Sequence, residues 1–176
     1  MNEKNSALIS IKTFTHNGTA ELKSVLQVLS KTFSVEAVSS VYKVNRRSES
    51  LQGLRDIKKE EHLEALAIVL KVKSDLGARE VLEALNDAEQ TFQREQLKRT
   101  VSLNLLAFNS EVIMLPGLAV PHPEMHLRPE EIIPAVEVWP QYIHPVLNLS
   151  LSELSRKFAG DNWGEFFTQG QPLLDF

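Results

Sequence analysis

A stretch of alternating residues from Arg99 to Phe108 (RTVSLNLLAF) contains the polar side chains whose spacing first suggests a site. Odd-numbered positions from 101 to 105 are apolar, and even-numbered positions from 100 to 104 are small, polar and uncharged. This alternation predicts a β-strand with two unlike faces, of which the apolar one belongs in a core. The polar face contains Ser102 and Asn104, with Arg99 at its edge. It is either a solvated sheet face or a site that lacks charged groups.

Composition limits the functions that such a site can serve. The 176-residue chain is 43% hydrophobic, which predicts one globular domain with a substantial core. Its net charge of −4 provides no basic field for nucleic acid or an anionic membrane, although local arginines can still hold a phosphorylated ligand. The absence of cysteine excludes thiolate catalysis and zinc–thiolate sites. We see no signal peptide and no apolar run long enough for a bilayer, so we expect a cytoplasmic protein without nucleic-acid or membrane partners.

The elements that position this strand follow from hydrophobic periodicity. Amphipathic helices are predicted at 19–31 and 77–92, and further strands at 7–11, 34–44 and 62–72. The polar residues at 45–61 predict a long loop of the kind that is usually functional or disordered. Two β-α-β units in this order predict an α+β fold, a ferredoxin-like (split βαβ) antiparallel sheet with helices packed on it.

Turn and capping signals predict the organisation of the C-terminal part. A hairpin bend is expected at Asn109-Ser110 and a turn at Pro116-Gly117. Pro129 predicts the start of one helix, and Ser150 with Glu153 predicts a capping box at the start of another. Residues 160–176 mix aromatic side chains with Gly and Gln, so they could pack, pair with a partner or stay loose. We therefore divide the chain into a domain at 1–159 and a C-terminal extension at 160–176.

The segment LAVPHPEMHLR, followed by EIIPAVEVWP, resembles the C-terminal signature of the hydroxymethyl-dihydropterin pyrophosphokinase (HPPK) family. In that family a strand of pattern R-x-x-D-x-D leads into a hairpin, a Pro-His-Pro segment and a later arginine. The same order is found here as Arg99, Ser102, Asn104, the FNSEVI bend, Pro121-His122-Pro123 and Arg128. The resemblance extends over about residues 7–158. It implies an HPPK-like domain and transfer of pyrophosphate from ATP to 6-hydroxymethyl-7,8-dihydropterin in the folate pathway.

The two metal-binding aspartates of the family are replaced here by Ser102 and Asn104. The resemblance implies ATP and Mg²⁺ as cofactors, but Mg²⁺ prefers anionic oxygen ligands and these side chains are uncharged. We therefore expect a divergent member that is impaired or inactive in the transfer and retains binding of a nucleotide or a pterin-like molecule. One alternative is an active transferase with relocated ligands, such as Glu60 and Glu61, or with a different acceptor. The other is an interaction protein that contacts a partner through its C-terminal extension.

The remaining candidate residues follow from the same resemblance. Four basic side chains match family positions that contact nucleotide phosphate or support that pocket: Arg94, Arg99, His122 and Arg128. Arginine suits phosphate through its two-pronged donor geometry, but these side chains could instead pair with Glu89, Glu95 and Glu124. Val44 and Glu64 match positions of the pterin pocket, where Glu64 replaces an asparagine. Two further departures are Glu130, where the family has a covering aromatic residue, and Lys12-Thr13-Phe14, where it has Gly-Ser-Asn.

Overall fold

The computed structural model describes residues 3–14, 17–45, 65–96 and 100–176, with the backbone alone at 94–96. Eight strands are described: β1 (Asn5–Thr13), β2 (Ser34–Val38), β3 (Val41–Val44), β4 (Ala65–Ser74), β5 (Val101–Phe108), β6 (Ile113–Leu115), β7 (Leu118–Val120) and β8 (Gly164–Thr168). Four α-helices accompany them: α1 (Gly18–Ser30), α2 (Ala78–Gln96), α3 (Pro129–Val138) and α4 (Leu151–Ser155). Short 3₁₀ turns lie at Met125–Leu127, Arg156–Phe158 and Gln171–Leu174.

The main sheet contains six strands that pair in antiparallel fashion. Its order is β5-β1-β4-β3-β8, and β2 also pairs with β4. The interior strands β1 and β4 are buried along most of their length, which explains the continuous apolar run from Ala65 to Leu70 at the start of β4. The predicted α+β antiparallel sheet with packed helices is confirmed.

Helices cover both faces of this sheet, so each strand contributes to two apolar layers. Ile9 and Ile11 of β1 belong to the core that α1 and α2 cover. Leu8 belongs to a second core on the opposite face, which α3 and α4 cover. Because side chains alternate along a strand, Ser10 and Lys12 also point toward the α3 side. A buried polar patch is thereby placed inside an apolar layer.

Two predicted local features differ from the structure. The strand expected at 34–44 is broken into β2 and β3, because the Ser39 hydroxyl accepts a hydrogen bond from the Val69 amide and donates one to the Ser40 carbonyl. A turn is present at Asn109-Ser110, where the Glu111 amide donates to the Phe108 carbonyl at 3.1 Å, but the hairpin expected there is wrong, because β6 pairs with β7 and not with β5. The turn predicted at Pro116-Gly117 is observed and joins β6 to β7, and Gly117 there has a φ of 76°, a conformation that favours glycine.

The C-terminal residues extend the main sheet. Strand β8 pairs with β3, and the Asn45 amide donates to the Trp163 carbonyl at 2.8 Å. Leu173 is buried in the core beneath α1. A side chain at Gly170 would overlap the Ser39 carbonyl oxygen, and one at Gly164 would overlap that of Lys43, so both close approaches require glycine. Within the described ranges, no helix has the length and apolar character needed to cross a bilayer.

Candidate functional site

The polar face of β5 lies beside the polar face of β1. In the antiparallel register, Ser102 is opposite Lys12 and Asn104 is opposite Ser10. Directly opposed residues have Cβ atoms only about 5 Å apart, so these four side chains form one patch. Ser102 and Asn104 are half-buried. The patch is therefore no ordinary solvated face, and it includes an ammonium group.

Helix α3 places two carboxylates against this patch. The Lys12 ammonium lies 3.2 Å from Oε1 of Glu131 and 3.7 Å from Oε1 of Glu130, and the Ser10 hydroxyl donates to Glu131 at 3.4 Å. Lys12 is only 5% exposed, Glu130 1% and Glu131 0%. Arg128 Nη1 lies 3.5 Å from Glu131 Oε1 and also pairs with Glu124. We call Lys12, Arg128, Glu130 and Glu131 the Lys12 cluster.

The start of α3 explains why carboxylates can be buried there. Pro129 occupies the first helical turn, as predicted, since its ring fixes a helical φ and its missing N–H is not needed. Glu130 and Glu131 follow in that turn, where the helix dipole favours negative charge. The second carboxylate oxygen of Glu131 is buried and has no hydrogen-bond partner among the described residues. The burial of this charge therefore depends on Lys12, Ser10 and Arg128.

His122 lies next to the cluster, in the segment that follows a cis Val120-Pro121 peptide bond. Its amide donates to the Leu106 carbonyl at 2.8 Å, and its Nδ1 accepts from the Glu124 amide at 3.2 Å. Burial lowers the pKa of His122 below its usual range, an effect that the Glu131 charge opposes. At neutral pH the imidazole is therefore a neutral hydrogen-bonding group and not a cation.

An open cleft of about 410 Å³ borders the edge of β5. Asn104 and His122 both line it, together with Glu89, whose carboxylate accepts from the Leu103 amide at 3.0 Å. The structure thus brings together two of the predicted site residues, one from the strand and one from the Pro-His-Pro segment. Their neutral donors and acceptors, with one carboxylate beside them, suit a polar heterocycle better than a metal–triphosphate complex.

The other predicted residues are placed as follows. Arg128 pairs with local acids, the arrangement considered above as the alternative to a phosphate contact. Val44 ends β3, where it is buried against Phe14 and faces Gly164 of β8. The described backbone of α2 includes Arg94, whose side chain lies outside the described part. Arg99, Glu64 and the predicted loop with Glu60 and Glu61 also lie outside the described residues.

Two residues of the site were not assigned a role from the sequence. Lys12 is visible in the sequence only as a departure from the family's glycine, and Glu131 only as the first residue of EIIPAVEVWP. A single signal was available for Lys12, because it is the one charged residue of β1. Strand pairing and helix docking determine which residues of β5 and α3 surround Lys12, and neither can be predicted from local sequence patterns.

The donor set of this patch does not fit magnesium. Ser102 and Asn104 offer only neutral oxygens, whereas Mg²⁺ is usually held by carboxylates. The charged group directly opposite Ser102 in the register is the Lys12 ammonium, which repels a cation and already pairs with the carboxylates of Glu130 and Glu131. Within the described part of the chain, no three His, Asp or Glu side chains are arranged to hold a metal ion.

Comparisons with known proteins agree with this fold and with the resemblance. The family described as 7,8-dihydro-6-hydroxymethylpterin-pyrophosphokinase (HPPK) matches residues 8–140. The 2-amino-4-hydroxy-6-hydroxymethyldihydropteridine pyrophosphokinase of Aquifex aeolicus is 29% identical over 132 residues, which cover 73% of this chain and 76% of the relative. The enzyme of the same name from Haemophilus influenzae is 30% identical over 95 residues, covering 52% of this chain and 59% of the relative.

A solved structure shows the same architecture. The Plasmodium falciparum HPPK-DHPS triple mutant (S436F/A437G/A613S) with SDX-DHP superposes with a TM-score of 0.71 at 14% identity. The match covers 89% of this chain but only 44% of that one, and this likeness concerns the fold alone. The family match includes the β5 patch, the Pro-His-Pro segment and α3, and it ends before α4 and β8. This chain belongs to the HPPK family.

Proposed function

We propose that this HPPK-family chain binds a pterin-like or nucleotide ligand and carries out little or no pyrophosphate transfer. The observation that carries the proposal is the neutral pair Ser102 and Asn104, in register with Lys12 and Ser10. The relatives by name are pyrophosphokinases, so the proposal concerns turnover and not ancestry.

Charge is the physical reason for expecting weak turnover. Transfer of a phosphoryl-type group depends on positioning and on neutralising the triphosphate, which divalent cations normally do. Each carboxylate removed from a buried charge contact costs about 2–4 kcal/mol. Two such losses would weaken cation binding by several orders of magnitude. Lys12 adds a repulsive charge on the same face.

Ligand binding is supported by the cleft at the edge of β5. Its volume of about 410 Å³ falls in the range of small-molecule sites. Asn104 can both donate and accept hydrogen bonds, and the neutral His122, whose Nδ1 already accepts from the Glu124 amide, offers its Nε2–H as a donor. A pterin presents complementary amino, ring N–H and carbonyl groups.

The test measures AMP release. The purified protein is mixed with ATP, Mg²⁺ and 6-hydroxymethyl-7,8-dihydropterin, with the Aquifex aeolicus relative as the positive control. We expect no more AMP than in a blank without pterin, while the control turns over. AMP well above the blank would refute the proposal. Calorimetric titration with the pterin in EDTA then separates a ligand-binding protein, which gives heat, from an interaction protein, which does not.

A second candidate, an active transferase with relocated ligands, is favoured by the two buried carboxylates of α3. Glu130 and Glu131 lie on the same side of the sheet as Ser102 and Asn104. If AMP is released, Glu131→Gln should abolish it. The same substitution at Glu137, which lies on the same helix and accepts from the Ser40 hydroxyl, should not.

The third candidate, an interaction protein, is favoured by the exposed side chains of Phe166 and Phe167 on β8, which is an edge strand among the residues that the structure describes. An unpaired sheet edge with apolar side chains is a common place for a second chain to pair. A cytoplasmic location is part of the proposal and is supported by the cysteine-free composition. Size-exclusion chromatography with light scattering tests self-association through this edge, which Phe166→Glu should reduce.

A further inference from the structure

We infer that Lys12 is an internal cation that takes over the electrostatic role of a divalent metal in this patch. While it remains charged, restoring aspartates at positions 102 and 104 will not restore metal binding. This inference rests on the proposed function, but it concerns a different question. The proposed function attributes weak metal binding to the missing carboxylates, whereas this inference adds that the Lys12 ammonium repels the cation.

The first step of the argument is position. Lys12 lies directly across from Ser102 in the β1–β5 register, and both side chains are on the α3 side of the sheet. A carboxylate introduced at position 102 would therefore stand next to a lysine stem. Its oxygens would be within reach of the ammonium, because a lysine side chain is long and flexible.

The second step is confinement. Lys12 is 5% exposed, and Glu131, Glu130 and Ser10 surround its side chain. The ammonium cannot easily turn outward to water, as a surface lysine would. Its charge stays close to the place where aspartates at 102 and 104 would hold a metal ion, and water does little to screen it there.

The third step is charge balance. Among the described residues, the Lys12 cluster holds two cationic side chains, Lys12 and Arg128, against two carboxylates, Glu130 and Glu131. These four charges balance without any bound ion, and a third carboxylate, Glu124, pairs with Arg128 from a solvent-exposed position, where water screens its charge. A divalent cation added to it would face an ammonium and two carboxylates that are already paired. Two new aspartates would form ion pairs with Lys12 before they formed a metal site.

The experiment measures Mn²⁺ binding by electron paramagnetic resonance, with and without α,β-methylene-ATP. The first two proteins are the wild type and the double variant Ser102→Asp/Asn104→Asp. The third adds Lys12→Met, which keeps most of the apolar stem and removes the charge. The matched control adds Lys71→Met instead, because Lys71 lies on the same sheet face, opposite Leu8, and pairs with Glu36 at 3.3 Å.

We expect the Lys12→Met triple variant to bind Mn²⁺ at least tenfold more tightly than the double variant. The Lys71→Met triple variant should bind like the double variant. Equal binding by the double and the Lys12→Met triple variant would overturn the inference, and so would equal gains from both lysine substitutions. Absence of Mn²⁺ binding from every folded variant would also overturn it, because removing the ammonium would then restore nothing.

Two controls distinguish a failure of this inference from misfolding and from a failure of the proposed function. If the triple variant does not fold, adding Glu131→Gln removes one negative charge along with the ammonium, and the same Mn²⁺ comparison is made in that background. Circular dichroism checks each variant first. AMP release by the wild type tests the proposed function alone, whereas Mn²⁺ binding by the designed variants tests Lys12.

Discussion

Replacement of Lys12 by methionine should destabilise the protein strongly, because the Lys12 cluster is buried. Methionine fills most of the space of the lysine stem, so the change removes mainly the ammonium. Glu131, which is fully buried, would then keep Arg128 as its cation at 3.5 Å. Glu130 would lose the ammonium at 3.7 Å.

The size of the effect follows from the cost of removing one partner from a buried ion pair. Removal of one partner of a buried ion pair typically costs 3–5 kcal/mol, and the remaining Arg128 contact puts this case near about 3 kcal/mol. For a domain of this size each kcal/mol shifts the melting temperature by about 2–4 °C, which gives a drop of about 6–12 °C. The double variant Lys12→Met/Glu131→Gln removes both charges and should recover about 2 kcal/mol of the loss.

Urea denaturation followed by circular dichroism measures these free energies. Lys71→Met is the control, since this lysine is partly exposed, pairs with Glu36 and lies 4.4 Å over the Trp139 ring. Its loss should cost no more than about 1–2 kcal/mol. Equal losses from Lys12→Met and Lys71→Met, or no recovery in the double variant, would refute the reasoning. The cluster would then be well hydrated in solution.

Three further changes test other parts of the structure. Burial lowers the pKa of His126 and of His144 below 6.5, so the unfolded chain takes up protons more readily. The free energy of unfolding should be level above about pH 6.5 and fall as the pH drops from there through the lowered folded values. His144→Asn, which keeps a hydrogen-bond acceptor for the following loop, should flatten part of that fall in melts from pH 5 to 8. Gly170→Ala should cost more than about 2 kcal/mol in urea titrations, because its methyl group would overlap the Ser39 carbonyl. Ser150→Ala should cost about 1 kcal/mol in the same titrations, since it breaks the capping box at α4.

Helices and the interior strands were predictable because their signals are local. The helix expected at 19–31 is observed at Gly18–Ser30, and that expected at 77–92 is observed at Ala78–Gln96. Both present apolar side chains with helical spacing to the same core. The capping box at Ser150 and Glu153 was equally visible, because its partners are three residues apart, and both of its hydrogen bonds are present.

The features that could not be predicted depend on contacts between distant parts of the chain. The break at Ser39 requires the Val69 amide on another strand. Residues Gly164–Thr168 form strand β8 by pairing with β3. Their own sequence mixes glycine with aromatic side chains and therefore does not predict a strand. The alternation of β5 indicated the polar face with Ser102 and Asn104. Lys12 lies opposite Ser102 because of the register between β1 and β5, and the sequence of either strand alone does not determine that register.

The two tryptophans of the chain occupy different regions, which makes fluorescence an independent report on each. The Trp163 ring, just before β8, lies 5.2 Å from the Tyr42 ring on β3. Trp139, at the end of α3, lies 4.6 Å from Tyr142 and beneath Lys71. A Trp139→Phe variant would therefore emit from Trp163 alone, and excitation energy from Tyr42 would reach it only while β8 is docked. The fluorescence of Trp163 would then report the separation of β8 from β3, even while the core under α3 and α4 remains folded.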